Sequence, residues 1–167
     1  MSDRTLTLER SPERLRLTGH GTPLTVRLRL LSASSGQALP GYATTLFHCD
    51  GPTAHEVTDP AGWVCFASTF PAAGTHEWPH LHFEVHRGAV RVHAAQLVLP
   101  GDACAKAHGR HPTGRPTAAR PAAGQPTVGQ PTVGRIPAVA ACPGALEFAS
   151  VTGDARRGMV AIRTVTV

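Results

Sequence analysis

Tyrosine is nearly absent from this chain. Tyr42 is the single one, and phenylalanine, tryptophan and tyrosine together make up 5% of the 167 residues, so any core has to be built mainly from aliphatic side chains. Charge is also sparse, at 16%, and each sign is missing from one long stretch. Between Ser32 and His86 there is no lysine or arginine, while Asp50, Glu56, Asp59, Glu77 and Glu84 lie there with His48, His55, His76, His80, His82 and His86. Such a stretch is locally acidic and suits a cation. Between Ala103 and Leu146 the acids are missing instead, leaving Lys106, Arg110, Arg115, Arg120 and Arg135. That stretch reads as a solvated basic loop. It lacks the aromatic side chains on which bases stack, so a nucleic-acid partner is not expected. No apolar run reaches transmembrane length, and MSDRTLTLERSPERLRL has no apolar signal core. No membrane partner is therefore expected, and a cytoplasmic location is the default. Cys49, Cys65, Cys104 and Cys142 show no CxxC spacing. They are expected as free thiols in a reducing compartment, although Cys104 and Cys142 bracket the basic stretch, which leaves a bridge between them open.

What the chain has in quantity is glycine (17) and proline (15), the punctuation of a turn-rich β protein. In LTVRLRLLS (24–32) Leu24, Val26, Leu28 and Leu30 alternate with Arg27 and Arg29, the period of a half-buried strand. YATTLFHCD (42–50), TDPAGWVCFASTF (58–70, a turn and then a strand), PHLHFEVH (79–86) and AVRVHAAQLVLP (89–100) continue the series. GMVAIRTVTV (158–167) closes it, with ALEFASVT (145–152) as its pairing partner. Short strands at this spacing predict an all-β, antiparallel β-sandwich. Residues 1–20 read as a loosely ordered arm and 21–167 as one domain. Within that domain, 101–144 reads as a flexible Pro/Gly-rich insertion, carrying QPTVG twice in tandem at 125–134 and too few large apolar residues to pack.

The stretch THEWPHLHFEVH (75–86) holds the chemistry. Residues two apart on a strand share a face, so His80 and His82 project together, about 6–7 Å apart at the backbone. Two imidazoles at that reach can ligate one ion, and they can equally belong to a polar strand face. His86 shares their parity but adjoins a turn and reads as a surface histidine. Asp50 and Asp59 sit in turns, where aspartate binds the backbone. Cys49 and Cys65 read as small core residues.

Taken in order, PLTVRLRLLSASSGQALPGYATTLFHCDG, TDPAGWVCFASTFPA, WPHLHFEVH and VHAAQLVLP resemble the intradiol ring-cleavage dioxygenases, the catechol and protocatechuate dioxygenase family, and most of all its short single-domain members. The family's PLPGA…IWHCDA, TDADGxVxF, YPGWY, HIHFKVH and QLFFP segments follow one another in the same way. The resemblance runs over residues 22–101, with a fainter match at the last strand. It implies a β-sandwich holding non-haem Fe(III) between two tyrosinates and two histidines. The histidines fall on His80 and His82. The tyrosine positions fall on His55 and Gly74, and a family arginine falls on Glu77. The implied metal set here is thus His55, His80 and His82, with non-haem iron first and copper or zinc as alternatives. His76 is implied as a fourth ligand or acid–base group, and Glu77 as ligand, hydrogen-bond acceptor or general base. His48 is implied as hydrogen-bonding support beside the site. A small aromatic or enolic substrate, with dioxygen as co-substrate, and a homodimer complete what the resemblance implies. A non-catalytic relative with a vestigial site is the alternative.

Overall fold

A computed structural model describes residues 21–48, 53–72, 78–112 and 144–167. Nine strands and one helix follow in order: β1 (Pro23–Leu31), β2 (Ala43–Phe47), β3 (Thr53–Val57), β4 (Trp63–Thr69), β5 (His80–Arg87), β6 (Val90–Val98), α1 (Gly101–His108), β7 (Ala145–Phe148), β8 (Ser150–Asp154) and β9 (Gly158–Thr166). They form a four-stranded sheet, β4-β1-β9-β8, and a five-stranded sheet, β3-β2-β5-β6-β7. A single core joins the two. Leu24, Val26, Leu28, Leu30, Val64, Phe66, Met159, Ala161 and Val165 come from the smaller sheet, and Leu46, Leu81, Phe83, Val85, Ala95 and Leu97 from the larger. Each fully buried leucine or phenylalanine contributes about 1.5–3 kcal/mol relative to exposure. The β-sandwich expected from the alternation is therefore the fold. Each sheet nevertheless includes one parallel pair, β1 with β9 and β6 with β7, so the sheets are mixed rather than purely antiparallel. Parallel neighbours need a long connection, and both pairs have one.

Three elements differ from the sequence reading. First, residues 53–57 form a strand, β3, that pairs with β2. Second, the stretch 145–152 is not one strand beside β9. β7 pairs with β6 in the larger sheet and β8 with β9 in the smaller. The chain crosses between sheets at buried Ala149, whose N–H donates to the Val98 carbonyl at 3.0 Å. Third, the insertion read from residue 101 begins with α1. Pro100 precedes its first turn, and Gly109 ends it in the left-handed region at φ 70°, donating to the Ala105 carbonyl. Eight residues of mostly small side chains carry little periodicity, so this helix left no amphipathic signal. Cys104 lies on it, fully buried and a free thiol among the described residues; Cys142, the other end of the bridge left open above, lies outside them. Burial pushes the Cys104 thiol up to about 11. Cys65 is also free, but exposed. On β4 the inward positions go to Val64, Phe66 and Ser68, so Cys65 faces out instead of joining the core. The tandem repeat and residues 1–20 lie outside the described residues, as do Cys49 and Cys142. Among the described residues no helix is long and apolar enough to cross a membrane.

Asp59 holds the turn that launches β4. Its carboxylate accepts from the Ala61 and Trp63 N–H groups at 2.9 and 2.8 Å. Gly62 has φ 78° there, and a Cβ on it would lie 2.6 Å from the Leu30 carbonyl oxygen, so only glycine fits. Tyr42, half-buried against the core, donates its N–H to Thr58 Oγ1, which itself donates to the Leu39 carbonyl. The one tyrosine is thus tied into a structural corner.

Candidate functional site

Strand β5 has two working faces. Leu81, Phe83 and Val85 point into the sandwich, and His80, His82, Glu84 and His86 point the other way. Directly paired residues on antiparallel strands share a face, so the register gives the neighbours on that outward face. His82 stands between Phe47 of β2 and Gln96 of β6, His80 beside Val98, and Glu84 between Thr45 and Ala94. An outward face normally meets water. Here His82 is only 6% exposed and Gln96 only 4%, and Val98 and Thr45 are buried as well.

The two imidazoles meet edge to face, with ring centroids 4.7 Å apart and their Nε2 atoms 3.1 Å apart. His80 Nδ1 lies 2.7 Å from the Trp78 carbonyl oxygen. A carbonyl only accepts, so Nδ1 carries the proton, and the neutral ring presents its lone pair at Nε2. Two Nε2 atoms at this separation would subtend about 95° at an ion bound through metal–nitrogen bonds of about 2.1 Å. The pair therefore fits two neighbouring positions of one transition-metal ion.

The remaining sequence-predicted residues do not all join this pair. His55 shares the outward face but lies on edge strand β3, directly opposite Thr45, and its Nδ1 is 2.9 Å from Thr45 Oγ1. Strand β2 stands between it and β5. The separation at the backbone is about 10 Å across the strands plus two residues along them. Among the described residues no three histidine, cysteine, aspartate or glutamate side chains are grouped to hold a metal. His80 and His82 come together, then, and His55 does not. His48 follows Phe47 and turns to the opposite side, where its Nε2 meets Ser68 Oγ of β4 at 2.5 Å. It bridges the two sheets inside the sandwich, and burial lowers its pKa below the ordinary value of 6.5. It does not reach the outward face. His76 and Glu77 lie outside the described residues. His86, as expected of a surface group, lies 3.7 Å from Glu84, which also takes a 2.7 Å ion pair from Arg91.

Two residues near the pair were not singled out in the sequence. Gln96 is a polar side chain withdrawn from water directly opposite His82. Trp78 supplies the carbonyl to His80 and donates its own indole N–H to the Leu99 carbonyl at 2.7 Å. The sequence signal for Trp78 was a large aromatic followed by proline immediately before the HxH pair.

No protein-family model matches the chain, and no curated protein matches it. Solved structures do. An intradiol ring-cleavage dioxygenase from Tetranychus urticae superimposes with a TM-score of 0.59 at 13% identity, over 87% of this chain and 80% of that one. The dioxygenase domain of a dioxygenase–carbohydrate-binding protein fusion from Streptomyces sp. SirexAA-E gives 0.50 at 15% identity, over 88% and 81%. At such identities the likeness is one of fold. The chain has the β-sandwich fold of intradiol ring-cleavage dioxygenases.

Proposed function

We propose that this protein is a metal-dependent oxidoreductase of the oxygenase type. It acts on a small aromatic or enolic molecule, with His80 and His82 as the metal-binding pair. The observation that carries this reading is the 3.1 Å approach of two Nε2 atoms on a face withdrawn from water, with one ring held by a carbonyl at its other nitrogen. Imidazole ligands suit iron, copper and zinc, and non-haem iron is the first choice. Further donors are sought among His55, His76 and Glu77. When bound, iron or copper supplies Lewis acidity and electron-transfer capacity. The chain's own part is to keep the His80 proton on Nδ1, so that its Nε2 offers a lone pair toward which His82 Nε2 donates until it gives up that proton to ligate, and to set the buried neighbours Gln96, Val98 and Thr45 around the pair. Neither tyrosine position of the resembled family holds a tyrosine, so substrate activation through tyrosinate-bound Fe(III) is not part of this reading.

A second reading, a binding or scaffold protein that keeps the sandwich without catalysis, draws support from what stands at the resembled family's positions: Gly74 in place of its second tyrosine and Glu77 in place of its arginine. Metal analysis and electron paramagnetic resonance on protein purified without added metal separate the two. The first reading expects about one iron or copper per chain, lost in His82→Ala. A parallel set of His55→Ala, His76→Ala and Glu77→Gln then identifies the further donors by which variant loses metal. Protein that holds no metal and takes up no Fe(II), Cu(II) or Zn(II) leaves the scaffold reading standing.

A further inference from the structure

We infer that Trp78 is a positioning residue that presets His80, fixing its tautomer and ring direction before any metal arrives. The inference rests on the reading of His80 and His82 as the metal-binding pair. The contact that does this is the Trp78 carbonyl on His80 Nδ1 at 2.7 Å. Turned half over, the ring would offer this carbonyl a carbon instead of Nδ1. With its proton on Nε2, it would place two lone pairs against each other at Nδ1. Either change loses the hydrogen bond and takes the Nε2 lone pair away from its place opposite His82 Nε2.

A carbonyl can set a ring only if it is itself held, and three features hold this one. Pro79 follows, which confines Trp78 to extended backbone and fixes the next φ near −65°. The Leu99 N–H donates to the Pro79 carbonyl at 3.2 Å, and the indole N–H of Trp78 donates to the Leu99 carbonyl at 2.7 Å, so the Trp-Pro step is fastened to the end of β6 from both sides. The indole also lies on the first residue of α1: a Cβ placed on Gly101 would be 3.5 Å from the ring, ordinary contact distance. The helix that the sequence did not announce thus buttresses the residue that orients a metal-binding side chain. Hydrogen-bond partners of ligating histidines change metal affinity by about 10–100-fold when altered, and a partner held indirectly through an indole is expected at the low end.

The test uses the full chain. In metal-free, 15N-labelled protein, histidine 15N–1H correlation is expected to show His80 as the Nδ1–H tautomer; an Nε2–H tautomer overturns the inference. Trp78→Phe keeps an aromatic ring and removes the donor to Leu99. It is expected to weaken Zn(II) binding about tenfold and to mix the His80 tautomers, while Trp63→Phe leaves both unchanged. Wild-type Zn(II) affinity together with a wild-type tautomer in Trp78→Phe also overturns it. Should Trp78→Phe fail to fold, Trp63→Phe decides, since Trp78 is then the sole tryptophan. Bound Cu(II) is expected to quench its emission one-to-one, and Cu(II) uptake without quenching counts against the placement. Wild-type protein that takes up no Zn(II) defeats the metal reading instead, and the metal-free tautomer still decides the positioning.

Discussion

Strand β1 alternates cleanly between the core and solvent: Leu24, Val26, Leu28 and Leu30 are buried, and Arg27 between them is exposed. Strand β5 in the other sheet buries Leu81, Phe83 and Val85 inward and withdraws His82 on its outward side as well. Around the outward side of β1 lie the two arginines over Trp63 and exposed Cys65. Around that of β5 lie Gln96, Thr45 and the facing imidazoles. Withdrawing polar groups from water costs free energy unless their hydrogen bonds are replaced. A sheet face that exposes its arginines serves solubility. A face that withholds histidine and glutamine from water encloses polar groups where the other sheet exposes them. The smaller sheet thus supports, and the larger sheet carries the candidate chemistry on the side turned away from the shared core.

Neighbouring residues on β5 allow this division to be broken directly. Phe83 belongs wholly to the core, packed among both sheets, and Phe83→Ala is expected to cost about 3–5 kcal/mol in chemical denaturation. His82, one residue earlier and on the other face, is expected to cost only about 1 kcal/mol when changed to alanine, while metal uptake is abolished. If His82→Ala unfolded the protein as readily as Phe83→Ala, the outward face would be a second core and not a site.

The same contrast explains what could be read from the sequence. β1 follows the period of two, so its placement and inward residues were legible, and β4 and β9 were legible as strands, although Cys65 of β4 faces out and not into the core. The histidine pair was legible too, because strand parity alone puts His80 and His82 on one face. What escaped depends on strand register and on how the chain crosses between sheets. β3 is short and exposed, five residues with no apolar alternation, and its register against β2 decides that His55 faces Thr45 and not His82. His48 could be placed near the site by its motif, but the reversal of faces after Phe47 sends it to Ser68 instead. The split at Ala149 turns on a crossing between sheets that local composition does not encode.

The interior offers a smaller, pH-dependent effect that the outward face should not share. His48 bridges to Ser68, and His93 lies between the sheets, its ring 5.8 Å from that of Phe83. Its buried Nε2 has no hydrogen-bond partner among the described residues. Glu147, ion-paired at 2.6 Å with Arg163 across the two sheets, is the charge that acts on it. Burial lowers the pKa of both histidines, with Glu147 partly opposing that at His93. The unfolded chain therefore takes up these protons first. Stability is fully present above the ordinary value of 6.5 and declines as pH falls below it. Denaturation midpoints at about pH 7.5 and about pH 5.5 should differ, and His48→Gln combined with His93→Gln should shrink that difference. An equal pH slope in the double variant would mean that the buried pair is not its source.

The smallest effect belongs to the supporting face. The Arg27 and Arg29 guanidiniums lie 4.9 and 5.7 Å from the Trp63 ring centroid. Cation–π contacts at exposed sites contribute about 0.5–1 kcal/mol, and Arg27 also covers part of the ring with its aliphatic stem. Arg27→Ala is expected to lower stability by no more than about 1 kcal/mol and to shift Trp63 emission to the red as water reaches the indole. Metal uptake should be untouched, because Arg27 faces solvent from the opposite sheet, with the whole core between it and His82. A loss of metal in Arg27→Ala would show that the two outward faces are coupled through the sandwich, and the division of labour between the sheets would have to be abandoned.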